Sequence, residues 1–343
     1  MRRTLLFFTL TAAAAALLPA CSGGSSEPDA APTEPVDTVA EAGIPRHVGR
    51  NVDIAVVTHG EASDPFWAVV KRGIDQAARE MGATTVTYSA PDVYEPVRMR
   101  ELIEVAVASR PDGLVVTIPD ADALAPALAK ATNAGIPIIA INTGQDVYRR
   151  LGALLFIGEP EAYEAAFAAG RRMASAGVRN AICVNHEPGV ASLRERCRGF
   201  AAALAKSGGS ARVVTIELQE RAAAVHRISA AVSASDVDGV LTLGPGGAAP
   251  ALEALRATRR LGKIDFGTFD LAPEVLRAVK AGQMEFAIDQ QPFLQGYLPI
   301  VLLTQYELYG VLPARDSVVP TGPNFVTARD VARVMRLSEA GIR

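Results

Sequence analysis

Asp64, Asn142, His186, Glu187, Asp270 and Gln290 are polar side chains that each stand where an apolar run gives way to a turn or helix. Acids, amides and neutral imidazoles at such places can donate and accept hydrogen bonds. Arg194, one turn into the following helix, adds a planar guanidinium fork. Phe66 and Trp67, the latter the only Trp in the chain, bring aromatic faces next to Asp64. The chain contains no Gly-x-Ser-x-Gly elbow and no nucleophile paired with a base. Its four histidines, His47, His59, His186 and His226, are scattered without metal-ligand spacing. These residues point to non-covalent recognition rather than catalysis, and they call for neither metal nor cofactor.

Each candidate also has a structural role open to it. Asp64 can cap the helix that opens at Pro65, and Asp270 can cap the one that opens at Pro273. Asn142 precedes Gly144 as a turn former does, and Asn185, His186 and Glu187 can belong to a solvated loop. Arg196 and Arg198 fit an ordinary helix surface, and Gln291 and Gln295 fit a connection or a helix face.

The elements that must position these residues follow from hydrophobic periodicity. Short β-branched runs predict strands over 52–58, 84–88, 113–117 and 136–141. Between them, amphipathic segments predict helices over 65–81, 97–108 and 122–134. After a break near 156–159 the rhythm restarts, with strands over 180–184, 211–217, 239–243, 264–269 and 284–289. Helices over 161–176, 191–206, 222–234, 246–258, 273–281 and 292–309 accompany them. Regular strand–helix alternation argues for parallel sheets covered on both faces. Two similar halves make two doubly wound α/β domains, with a ligand between them at the carboxyl ends of the strands.

The N-terminus sets the compartment. Arg2 and Arg3 precede an apolar run from Leu5 to Leu18, the layout of an export signal. Leu18-Pro19-Ala20-Cys21 resembles a bacterial lipobox, which implies acylation of Cys21 and a membrane tether through lipid alone. Residues 22–48, rich in Pro, Ser, Gly, Ala and acid, read as a disordered linker. The chain has 343 residues, 49% of them hydrophobic, and a formal charge of -3, with no basic run suited to nucleic acid. Export allows Cys183 and Cys197 a disulfide, but buried free thiols are the favoured reading, because a strand and its covering helix usually lie too far apart for a bridge.

Four motifs recur in a familiar order: Asp64-Pro65-Phe66-Trp67, the run Arg194 to Phe200, Thr268-Phe269-Asp270, and Asp289-Gln290-Gln291-Pro292. In this order they resemble the type I periplasmic sugar-binding proteins of ABC importers, over roughly residues 50 to 335. The resemblance implies two lobes joined by a hinge of three crossovers that close over a sugar or sugar-like polyol. It divides the chain into 49–157 plus 292–318 and 158–291 plus 319–343, with hinge residues near 157, 291 and 319. It assigns ligand contacts to Asp64, Phe66, Trp67, Asn142, Arg194, Asp270 and Gln290, with His186 and Glu187 added from their loop.

Two positions depart from the family. Asn142 stands where an acid is common, and Gly244 stands where Asn or Asp usually bonds a hydroxyl. Either backbone groups substitute at Gly244, or the site is roomier and takes a larger or less hydroxylated guest. The implied partners are the small ligand and an ABC permease, and the implied state is a monomer. A ligand sensor serving a receptor kinase or chemoreceptor is the rival reading, and a nucleoside the rival guest.

Overall fold

The computed structural model describes residues 50–60, 64–82, 84–233, 236–313 and 315–343. The export signal, Cys21 and the linker lie outside the described residues.

The first half alternates β1 (Val52–Val57), α1 (Pro65–Met81), β2 (Thr84–Ser89), α2 (Pro96–Ala108), β3 (Gly113–Val116), α3 (Ala121–Asn133), β4 (Ile138–Ile141) and β5 (Leu155–Gly158). The second continues with α4 (Ala162–Ala176), β6 (Asn180–Asn185), α5 (Ala191–Lys206), β7 (Ser210–Thr215), α6 (Arg221–Ser233) and β8 (Gly239–Thr242). It then runs through α7 (Pro245–Ala257), β9 (Asp265–Phe269), α8 (Pro273–Lys280) and β10 (Phe286–Asp289). The chain ends in α9 (Pro292–Tyr309), β11 (Ser317–Pro320), β12 (Asn324–Val326) and α10 (Val331–Glu339).

These strands build two six-stranded sheets, ordered β11-β5-β4-β3-β1-β2 and β12-β10-β9-β8-β6-β7. The two orders are the same permutation, so the chain folds one pattern twice. All pairings are parallel except β10 with β12. Central strands such as β3 and β4 are buried along their whole length, as parallel strands covered on both faces must be. Separate apolar clusters fill the two sides of each sheet.

The break expected near 156–159 is instead β5, whose four apolar residues sit between β4 and β11. A fully buried strand this short lacks the alternation that marks a half-exposed one.

Three crossovers join the sheets: β5 to α4, β10 to α9, and β11 to β12. The helices entered by the first two begin after left-handed residues, Glu161 (φ 57°) and Gln291 (φ 52°). Each crossover helix packs closely on a neighbour in its own lobe, α9 on α1 and α4 on α5. Paired glycines make this possible. A Cβ on Gly73 would lie 2.1 Å from the Phe293 carbonyl oxygen, and one on Gly296 would lie 2.0 Å from that of Val70. The second lobe repeats the device, with Gly199 against the Tyr163 oxygen at 2.1 Å and Gly170 against that of Phe200 at 2.7 Å.

Candidate functional site

At the carboxyl end of β1, His59 and Gly60 lead toward α1. Asp64 caps that helix, its Oδ1 accepting the Phe66 N–H at 2.7 Å, with Pro65 in the first helical position. The cap fixes the first turn and turns Phe66 and Trp67 inward, 6% and 5% exposed. Trp67 lies directly over Gly60, where a Cβ would fall 1.4 Å from the indole Nε1. Its ring meets His59 edge-on at 5.0 Å between centroids, and His59 meets Tyr94 in the same way at 5.8 Å.

Asn142 and Asp270 occupy equivalent places in the two lobes. Each follows the fourth strand of its half, in left-handed backbone (φ 64° and 62°). Each donates its N–H to the neighbouring strand, Asn142 to Ile157 and Asp270 to Ile288. Asp270 does not cap α8, whose N-cap is Ala272. Its Oδ1 instead accepts the Gln290 amide at 2.7 Å.

One cavity gathers His59, Asp64, Phe66, Trp67 and Asn142 from the first lobe with His186, Glu187, Arg196, Gly244 and Asp270 from the second. Gln290, from the second crossover, also lines it. In both sheets these residues stand near the point where strand order reverses, where open α/β sheets bind ligands. The space within it is small, about 40 Å³. A guest larger than a few waters therefore requires the lobes to part or side chains to move. Beside it opens a groove of about 540 Å³ that shares Asn142 and Ser192.

Eight of the nine residues expected to contact ligand thus line a single cavity. The ninth, Arg194, does not. It is exposed, and its Nη1 donates to the Pro188 and Gly189 carbonyls. The cavity's guanidinium belongs to Arg196, which was expected on the surface and is 5% exposed. The reason is helical phase. Arg196 shares the buried stripe of Leu193, Cys197 and Phe200, whereas Arg194 falls off it. Asn185 serves the turn, its Oδ1 accepting the Glu187 N–H at 2.9 Å.

Gly244 does not enlarge the site, contrary to one expectation. A Cβ there would sit 3.1 Å from His186 Cε1, so the imidazole already fills that space. His59 is a cavity residue that sequence reasoning passed over. Its place at the end of the first strand was the available signal.

Cys183 and Cys197 form a disulfide, where free thiols were expected. Helix α5 returns directly onto β6, and the two Cα atoms come within 5.7 Å, inside the bridging range. The bridge joins the strand that leads to His186 with the helix that carries Arg196.

Burial sets the protonation of the cavity. It pushes His59 down to about 3, helped by nearby His186. His186 falls to about 4 through burial and the Arg196 charge. Both rings are therefore neutral near neutral pH. Burial raises Asp270 well above the usual carboxylate range, against the opposing pull of Arg196 and the Gln290 hydrogen bond. The cavity thus sets two neutral imidazoles among the Arg196 guanidinium and the carboxyl groups of Asp64, Glu187 and Asp270.

The connections behind it are also hydrogen-bonded. Gln295 accepts from Asn142 Nδ2 at 3.1 Å. It donates to the Gln290 carbonyl and to Thr321 Oγ1, both at 3.1 Å. Gln291 donates to the Thr321 carbonyl at 2.7 Å. The second and third crossovers are thereby tied to each other and to a cavity residue.

A sequence profile for the periplasmic binding protein domain matches residues 54–308. A solved carbohydrate transporter from Acidothermus cellulolyticus, in complex with myo-inositol, is 33% identical, with a TM-score of 0.80. The alignment covers 85% of this chain and all of that one. A solute-binding protein of an ABC transporter from Agrobacterium vitis, with bound D-fucose, shares the fold at 23% identity and a TM-score of 0.72. It covers 83% of this chain and 98% of that one. The xylose/arabinose-binding protein XylF of Sulfolobus acidocaldarius is 24% identical over 90% of this chain and 78% of its own length.

Proposed function

The chain belongs to the periplasmic binding protein family, and we propose that it captures one small, uncharged, polyhydroxylated ring and presents it to an ABC permease. The observation that carries this reading is the grouping of Arg196, Asp270 and Gln290 with the rings of Phe66 and Trp67 around one cavity. A guanidinium and a carboxyl group make strong, directional hydrogen bonds to hydroxyls. Gln290 holds Asp270 in place, so the acid meets a guest in a fixed orientation. Aromatic rings cover the C–H face that such a guest also presents. With both histidines neutral, the site meets a guest with hydrogen-bonding imidazoles rather than with added positive charge.

Three similar proteins bear the same chemistry in their names: myo-inositol, D-fucose and xylose or arabinose. All are neutral polyols. The relative with 33% identity is the one bound to a cyclitol, and cyclitols head our candidates, ahead of pentoses and hexoses.

Capture is read out as lobe closure. Tyr94 of the first lobe packs toward Gly189 of the second, 3.5 Å from its Cβ position. The crossovers at 159–161, 290–291 and 321–323 absorb the rotation. The protein works as a monomer outside the cytoplasm, exported by its N-terminal signal and held to the membrane by acylated Cys21. The guest leaves chemically unchanged.

Thermal-shift screening of residues 49–343 against cyclitols, pentoses, hexoses and phosphorylated sugars tests this. A guest at 100 times its Kd adds about 2.7 kcal/mol of stability. A neutral polyol should raise the melting temperature and sugar phosphates should not. If no cyclitol or sugar shifts it, the reading fails.

A further inference from the structure

We propose that His186, admitted by the bare backbone of Gly244, is the group that selects the guest by one particular hydroxyl. The inference rests on reading the cavity as a polyol site. Gly244 has φ 172°, extended backbone that any residue adopts, so conformation does not require glycine here. Space does. A Cβ at this position would lie 3.1 Å from His186 Cε1 and 3.4 Å from Nε2, with Asp270 Oδ2 at 3.8 Å. A side chain at position 244 therefore crowds the imidazole, which must give by a few tenths of an ångström even for a methyl group. The two residues form one unit, in which the absence of a side chain at the N-cap of α7 lets a ring on the loop after β6 reach the cavity.

The ring that fills the space has hydrogen-bonding capacity left over. His186 Nδ1 is buried without a hydrogen-bond partner. Its Nε2 stands 3.9 Å from Glu187 Oε2, beyond hydrogen-bond reach. The side chain is 6% exposed, and Nδ1 is shut off from bulk water. A neutral imidazole offers one N–H and one lone pair. A hydroxyl, which both donates and accepts, complements either tautomer. A guest lacking that hydroxyl leaves the ring nitrogen buried and unpaired, and a site of this kind discriminates strongly against such an analogue.

The test is calorimetric titration of myo-inositol, D-xylose, D-fucose and D-glucose, each with its monodeoxy analogues. Wild type, His186→Ala, Gly244→Ala and the double variant are compared. Wild type should reject one deoxy analogue of its guest. His186→Ala should bind the parent about 10-fold to 100-fold more weakly, yet bind that analogue as wild type does. Gly244→Ala should weaken the parent in the same direction, by less, because its methyl group crowds the ring. The double variant should bind no worse than His186→Ala, since its clash has gone. Equal weakening of the parent and every analogue in His186→Ala overturns the inference, as does wild-type behaviour of Gly244→Ala. If wild type binds none of the four parents, the polyol reading falls as well, which separates the two failures.

Discussion

Arg196 and Glu159 form a buried ion pair at the first crossover, Nη2 to Oε1 at 3.3 Å, with side chains 6% and 1% exposed. The guanidinium also lies over the Phe269 ring, its Cζ 4.0 Å from the centroid. Glu159 directly follows β5 of the first sheet, whereas Arg196 belongs to α5 of the second lobe. The arginine that lines the cavity is therefore anchored to the connection that must bend.

Removing one partner of such a pair strands the other, at a cost of about 3–5 kcal/mol. Arg196→Ala should lower the free energy of unfolding by that order in urea denaturation. Arg194→Ala, on an exposed side chain, should stay within about 0.5 kcal/mol of wild type. Equal losses in the two variants would reject the assignment of Arg196.

The Cys183–Cys197 bridge closes a short loop, with 14 residues of sequence separation. Loop-closure entropy for that length is worth about 3 kcal/mol. The double variant Cys183→Ala/Cys197→Ala should lose roughly this much stability. It should also bind its guest more weakly, because the bridge sets Arg196 against the loop of His186. Thiol titration of unreduced, denatured protein spanning residues 49–343 should find no free thiol. Two reactive thiols would contradict the bridge.

His59 and His186 are held below the ordinary histidine range, at about 3 and about 4. Unfolded, each binds a proton below about pH 6.5. The stability they contribute is thus present above that pH and is lost as pH falls, down to about 4 for His186 and about 3 for His59, by up to about 1.4 kcal/mol per pH unit for each ring. Asp270 and Glu159, whose values burial raises, act in the opposite sense and lose stability as pH rises through their folded values. Because these slopes oppose one another, nitrogen NMR of the rings is the cleaner measurement. Both imidazoles should remain neutral at pH 5.5, and a ring that titrates near 6.5 would show that it is not buried as described.

The glycine-lined helix crossings predict intolerance to a single methyl group. Gly296→Ala places a Cβ 2.0 Å from the Val70 oxygen, and Gly199→Ala places one 2.1 Å from that of Tyr163. Better helix propensity returns at most about 1 kcal/mol. Overpacking costs about 1–3 kcal/mol or more, so both variants should melt below wild type. An unchanged or raised melting temperature would mean that the helices are not so close.

Much of this was legible in the sequence, for physical reasons. Asp64 and Pro65 spell a helix start, which fixes where Phe66 and Trp67 must point. Asn142 and Asp270 end buried strands, and a polar residue there has a turn or a ligand to serve. Arg196 was hidden because a charged residue reads as surface, although its spacing from Leu193 and Phe200 places it on the buried face. The pairing of His186 with Gly244 joins a loop after β6 to the start of α7, 58 residues later, and no local pattern reports such a contact. The disulfide escaped for the same reason, since it depends on how closely α5 settles on β6.

A crystal structure of residues 49–343 with its tightest-binding neutral polyol tests the central claim most directly. One intact guest should lie between the lobes, its oxygens within hydrogen-bond distance of Arg196, Asp270 and Gln290 and its carbon face against Phe66 or Trp67. A guest held by Arg194, bound outside this cavity or chemically altered would contradict the account.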